Sequence, residues 1–241
     1  MNIMLTGEVM KYKYIFSLFI FFVFSVCTYF VSRSYDVENV KQVYQNNEEF
    51  KMEKLVIDEE KISCNIYYPK TKYDVLNNQI KSDIENRVNL IKEKSEYNSN
   101  VKMDITYDCK EVTLNKKKYI TCVFYKKISQ QIVHPNLELF CINYSISDNK
   151  IITIDDIIKS DNNLNVLKTE CENTLLNNDK IKKYNLEKEV KEKIKDDPNI
   201  YSTFSFNENE LIIYFNEYTV APYVVGILKV KLNINKLEFN L

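Results

Sequence analysis

The sequence predicts an α+β protein with two adjacent halves, each an antiparallel sheet with helices, behind an N-terminal transmembrane helix. Three observations carry this. Apolar residues alternate at period two in several segments separated by turn residues. Between them run segments whose apolar residues recur every three and four positions, the spacing of an amphipathic helix. Near the start, Tyr14 to Val31 is a run of eighteen residues without a charge, and a helix of that length crosses roughly the hydrocarbon core of a bilayer. Strands and helices grouped in this order, rather than in strict alternation, indicate α+β instead of a parallel doubly wound sheet.

The first segments concern placement. Residues 1–13 read as a short cytoplasmic N-terminus and residues 14–31 as a transmembrane anchor. Lys11 and Lys13 precede the apolar run, which puts the N-terminus inside and exports the remainder. No Ala-x-Ala cleavage pattern follows, so a retained single-pass anchor is expected; the alternative is secretion after signal cleavage. Residues 32–54 are polar and aperiodic, the mark of a linker.

The first half is expected over residues 55–134. In Lys61 to Tyr68, Ile62, Cys64, Ile66 and Tyr68 alternate with Ser63, Asn65 and Tyr67, which defines a strand with one buried face. Leu76, Ile80, Ile84, Val88 and Ile91 then line one face of a helix of about five turns. Val101 to Thr113 and Lys118 to Ser129 flank Leu114-Asn115-Lys116-Lys117. A two-residue turn at Asn115-Lys116 opposes Met103 to Ile128, Tyr107 to Phe124, Cys109 to Cys122 and Asp104 to Lys127. Cys109 and Cys122 then share a non-hydrogen-bonded site, where Cα atoms lie about 4.5 Å apart, within disulfide reach.

The second half is expected over residues 135–241. Leu137 to Ser147 reads as a strand ending in a turn at Asp148-Asn149-Lys150, and Thr153 stands where it would cap a short helix with two acids in its first turn. Leu164, Leu167, Cys171 and Leu175 mark a helix over Asn163 to Leu176, and Leu186, Val190 and Ile194 a shorter one. Ser202 to Phe206, Leu211 to Phe215 and Val224 to Ile234 return to strand character.

Composition excludes more function classes than it suggests. The net charge is −1, with 33 basic and 34 acidic residues interspersed, so nucleic acid is not an expected partner. Abundant Asn, Lys and Ile read as AT-rich coding bias. His134 is the single histidine; it cannot build a His-His-Asp metal set, and neither a nucleophile elbow nor a phosphate-cradling glycine loop accompanies it. No catalytic residue, metal site or cofactor is therefore assigned. Asp155-Asp156 and Asp196-Asp197 have local explanations at a helix start and before a proline. Five of six cysteines follow the apolar run; Cys64, Cys141 and Cys171 fall on apolar faces, as free core thiols do.

The segment from Tyr214 to Gly226 stands out. It holds the chain's only alanine, Ala221, and its only glycine beyond position 7, within six positions. Glycine there implies a special backbone requirement, and Pro222 implies a bulge or loop between strands. Tyr214, Tyr218, Pro222 and Tyr223 are the candidate binding residues, because aromatics beside such a bulge suit a glycan or a protein partner. Packing of the same tyrosines into the sheet is the alternative.

This segment, a strand ending in Tyr214-Phe215-Asn216, then Tyr218, then Ala221-Pro222-Tyr223 and Gly226, resembles the closing motif of an extracytoplasmic domain. That domain occurs in RsiV-type lysozyme-sensing anti-sigma factors and in the non-catalytic region of PdaC-type peptidoglycan deacetylases. The resemblance covers roughly residues 55–237. It implies a binding module for a lysozyme-type protein or peptidoglycan in the cell envelope. Two departures limit what carries over. Gln131-Ile132-Val133 replace the family's two glycines and alanine before His134, and at most thirteen residues precede the apolar run, too few to fold around a sigma factor. Neither anti-sigma nor deacetylase activity is expected. A glycan-acting enzyme with an unrecognised carboxylate pair and an envelope scaffold remain the alternatives.

Overall fold

The computed structural model describes residues 50–97, 100–130, 134–194 and 197–238. The expected cytoplasmic segment, the expected anchor at 14–31 and all but the end of the expected linker lie outside the described residues. Among the described residues no helix is long and apolar enough to cross a membrane.

The chain runs β1 (Lys51–Glu59), β2 (Ile62–Lys70), α1 (Asp74–Tyr97), β3 (Val101–Leu114), β4 (Lys117–Ser129), β5 (Asn136–Ser145) and β6 (Lys150–Ile152). These strands form one six-stranded sheet in sequential order. Then follow α2 (Ile154–Ile157), α3 (Asp161–Leu176), α4 (Asp179–Lys183), α5 (Glu187–Lys193), β7 (Phe204–Asn207), β8 (Glu210–Phe215) and β9 (Leu228–Asn233), the last three making a second sheet. The α+β class is as the sequence predicts, with two refinements. Strands β2 and β3 pair in parallel, because α1 carries the chain back to the starting end of the sheet. The division at residue 134/135 falls between β4 and β5, which are hydrogen-bonded neighbours. Strands β5 and β6 thus belong to the same sheet as β1 to β4.

Three boundaries differ from the periodicity. Residues 51–54 extend β1 rather than the linker, with Lys51, Met52 and Lys54 exposed along a sheet edge. Tyr223–Val225 forms a 3-10 turn, so the last strand enters at Leu228 instead of Val224. Helix α4 is too short to show a period. The β3–β4 register matches the derived one at every pair, from Lys102 opposite Ser129 to Leu114 opposite Lys117. Asn115 and Lys116 both have positive φ, 48° and 67°, as a type I′ turn requires. Cys109 and Cys122 are disulfide-bonded with Cα atoms 4.2 Å apart.

The two faces of the large sheet have different coverings. Leu76, Ile80, Ile84, Val88 and Ile91 of α1 bury against Cys64, Ile66, Met103, Ile120, Cys122, Phe124, Phe140 and Ile142. Phe124 and Phe140 stack with centroids 4.6 Å apart. Each such side chain contributes about 1.5–3 kcal/mol of apolar burial. A charged group closes one end of this face: Glu138 accepts from Arg87 at 2.7 Å and pairs with Lys126, while the Arg87 guanidinium lies 3.7 Å over the Phe140 ring. On the opposite face Val112, Leu114 and Tyr119 join Leu167, Cys171, Phe204, Phe206, Phe215 and Val230 in the core of the second half.

That second contact is fastened by polar side chains. Buried Thr121 and Asn143 share a 2.6 Å hydrogen bond. The Asn143 amide then donates to the Phe204 carbonyl at 2.8 Å, and the Phe206 N–H donates to the Thr121 hydroxyl at 3.3 Å. Side chains of the large sheet thus satisfy backbone groups of β7 that no strand reaches. At α2 Thr153 stands at the N-cap, as expected, and forms a capping box with Asp156. The Asp156 carboxylate accepts from the Thr153 N–H at 3.0 Å and from Lys150 at 2.8 Å. Burial alone would raise Asp156; the Lys150 and Thr153 bonds outweigh it and hold the carboxyl below its ordinary range.

Candidate functional site

Strand β8 stops at Phe215 because the next two residues leave it to grip a different sheet. The Leu139 N–H donates to Asn216 Oδ1 at 2.7 Å and Asn216 Nδ2 donates to the Leu139 carbonyl at 2.8 Å. One amide thereby satisfies both backbone groups of one residue, as a paired strand would. Strand β6 covers β5 only from Asn143 to Ser145, so Leu139 lies on an edge that Asn216 plugs. Glu217 continues the grip two residues away by accepting from the Leu137 N–H. Burial raises the Glu217 carboxyl above its ordinary range; the Leu137 bond and the nearby His134 oppose that rise.

The loop then turns sharply. Tyr218 takes φ of 66°, its N–H donates to the Ala221 carbonyl at 3.0 Å, and Thr219 donates to the Asn216 carbonyl at 3.0 Å. A left-handed tyrosine costs about 1–2 kcal/mol relative to ordinary backbone. Lys193 donates to the Tyr218 carbonyl at 3.3 Å. Val220, Ala221 and Val225 are buried and anchor the loop in the second core. The backbone leaves through Gly226 at φ 75°, ψ −164°, a region that only glycine occupies readily. An added Cβ would meet nothing closer than Lys180 Nζ at 3.9 Å. The glycine is therefore required by its dihedrals and not by crowding, and Lys180 donates to the Val225 carbonyl beside it at 2.9 Å.

These contacts lift aromatic side chains to the surface. Tyr218 is 56% exposed and Tyr223 41%, with Val224 at 44% beside them. The rings of His134 and Tyr223 stack 4.3 Å apart at 13°, and Tyr218 to Tyr223 is 6.1 Å. The structure thus brings Tyr218 and Tyr223 together and adds His134, which sequence spacing could not place there. Pro222 initiates the 3-10 turn that carries Tyr223. Tyr214 does not join them. It is buried between the sheets, shares a 2.9 Å bond with Ser205, and is pushed up to about 12 chiefly by burial. Its strand position points it inward against Val123 and Leu139. Among the described residues, no group of three or more His, Cys, Asp or Glu stands close enough to hold a metal ion.

The fold and this loop define a class: an α+β module whose second half closes onto the first through a plugged strand edge. Residues 155–235, from α2 through the loop to the end of β9, match the family described as "Protein of unknown function (DUF3298)". Among solved structures the chain is similar to a DUF3298 family protein from Pseudomonas aeruginosa PAO1, at 12% identity and a TM-score of 0.54, over 79% of this chain and 93% of that one. It is also similar to a member of the same family from Bacteroides fragilis NCTC 9343, at 13% identity and a TM-score of 0.50, over 77% and 91%. These likenesses are of fold. No curated protein matches the chain.

Proposed function

We propose that this protein is a membrane-anchored extracytoplasmic binding module that presents Tyr218, Tyr223 and His134 to a cell-wall glycan or a lysozyme-type protein. The single observation that carries the reading is Tyr218: an aromatic residue held in left-handed backbone, more than half exposed, beside a second exposed tyrosine. Strain of this kind at an exposed aromatic directs attention to a functional role. Flat rings of this sort suit the apolar face of a sugar or a partner's side chains. The uncharged run at residues 14–31, read as an anchor, and the resemblance to RsiV-type and PdaC-type domains support the envelope as the location.

Retention of the full chain, in detergent, on immobilised lysozyme and on purified peptidoglycan tests the reading. Tyr223→Ala and Tyr218→Gly each lower retention by about tenfold or more. The glycine variant relieves the backbone strain while deleting the ring, so lost retention with undiminished stability assigns the effect to the surface. Absence of retention on both ligands overturns the proposal.

A further inference from the structure

The molecule closes strand edges with side chains in two places, Asn216 and Glu217 on β5 and Asn143 with Thr121 on β7. Strand β1 receives no such treatment among the described residues. It is nine residues long, carries Leu55, Val56 and Ile57 at its centre, contains no proline, and exposes Met52 by 42% and Val56 by 54%. An edge of that length and character is a template for another strand.

The hydrogen-bonding phase of the edge can be read from its neighbours. The Val101 N–H donates to the Lys61 carbonyl at 2.8 Å, so Lys61, Ser63 and Asn65 turn their backbone groups towards β3. Ile62, Cys64 and Ile66 turn theirs towards Glu59, Ile57 and Leu55 of β1. Met52, Lys54, Val56 and Asp58 are left to direct their N–H and C=O groups outward.

We infer that β1 is a pairing surface for a second copy of this chain, antiparallel and centred on Leu55. In that register Met52 exchanges backbone bonds with Asp58 of the other copy, and Lys54 with Val56. Lys51 of each copy opposes Glu59 of the other, twice by symmetry, with Glu59 also paired to Lys92 of its own chain at 2.6 Å, and the Leu55 side chains meet on the face that α1 covers. A slip of one residue puts the outward groups out of phase. A slip of two residues opposes Lys54 to itself in one direction; in the other it brings Lys54 opposite Asp58 but sets Glu53 against Glu59, so only the centred register opposes unlike charges with no like pair. Charge pattern and hydrogen-bond phase therefore select the same alignment. The contact buries less than a standard protein interface, so the association is weak and reversible in solution, and strengthens when both copies share one membrane.

The register places the two Leu55 residues at a non-hydrogen-bonded site, with Cα atoms about 4.5 Å apart, where cysteines can bridge. Full-length Leu55→Cys is oxidised mildly and its covalent dimer measured on non-reducing gels against wild type, with Val56→Cys as comparison. Leu55→Cys gives the dimer, and Val56→Cys, which faces Lys54 of the other copy, gives little despite its greater exposure. Adding Lys51→Glu lowers the Leu55→Cys dimer about fivefold, and adding Glu59→Lys with Lys92→Glu, which keeps the intrachain ion pair with its charges exchanged, restores it. No dimer above wild type, equal or greater bridging through Val56→Cys, or insensitivity to the charge reversal overturns the inference.

Discussion

The two faces of β4 are covered by different chemistry. On one, Ile120, Cys122 and Phe124 meet α1 and the aromatic ring of Phe140 in apolar contact, with the Arg87, Lys126 and Glu138 charges only at its end. On the other, Thr121 sits between Tyr119 and Val123 and bonds both Asn143 and the backbone of β7. The α1 face is held by apolar burial, which specifies position weakly, because a hydrophobic contact has no direction. On the second face Tyr119 also packs apolar against Phe206, and the polar bonds beside it fix where the second sheet sits, since each misplaced group would be buried without a partner.

Mutations that separate burial from placement test this contrast. The largest effect belongs to the apolar face: Phe124→Ala removes a fully buried ring and lowers unfolding free energy by about 3–5 kcal/mol in denaturant titrations. On the polar face, Asn143→Ala strands the Phe204 carbonyl and the Thr121 hydroxyl and costs about 2 kcal/mol. Hydrogen exchange should tell the two apart, the first loosening α1 and β4 together and the second loosening β7 selectively. If Asn143→Ala leaves β7 protected, the polar face does not place that sheet.

The Asn216 grip gives a chemical version of the same test. Asn216→Asp keeps the shape but sets an oxygen against the Leu139 carbonyl, so it costs about 2 kcal/mol, more than Asn216→Ala if two-point pairing matters. Gly226→Ala costs about 1–3 kcal/mol through its dihedrals alone, and a neutral result by thermal melting would show that the turn relaxes.

The smallest effect is a pH dependence. Burial raises the Glu217 carboxyl, so the folded chain keeps that proton to higher pH than the unfolded one. Stability is therefore lost as pH rises from the ordinary carboxylate range through the raised value. Glu217→Gln is more stable than wild type around pH 7, and the advantage disappears below about pH 4. A difference independent of pH would remove Glu217 ionisation as its cause.

Asparagine shows where sequence reading stopped. Its abundance reads as coding bias, yet three asparagines perform the same two-point bond to a single backbone residue. Asn77 pairs with Thr71, both bonds 2.8 Å. Asn163 pairs with Glu238 at 2.8 and 3.2 Å, and Asn216 pairs with Leu139. The sequence separations are 6, 75 and 77 residues, so only the first is local. No period or spacing marks an asparagine whose partner is a distant peptide group. The aromatic cluster was half legible for the same reason. Composition pointed to the loop and to Tyr218 and Tyr223, while strand phase turned Tyr214 inward and tertiary folding brought His134 onto Tyr223.

The sequence by itself determined what depends on neighbours along the chain: the α1 face, the β3–β4 register with its Asn115-Lys116 turn, and the need for a glycine near position 226. Periodicity and turn chemistry are local, so they survive without a structure. The tertiary structure alone decided that β2 and β3 run parallel, that β5 and β6 complete the first sheet, and which edges are plugged and which left open. Those outcomes depend on backbone groups seeking partners across long sequence distances, and every peptide outside the prolines carries the same donor and acceptor, leaving little in the residue names to read.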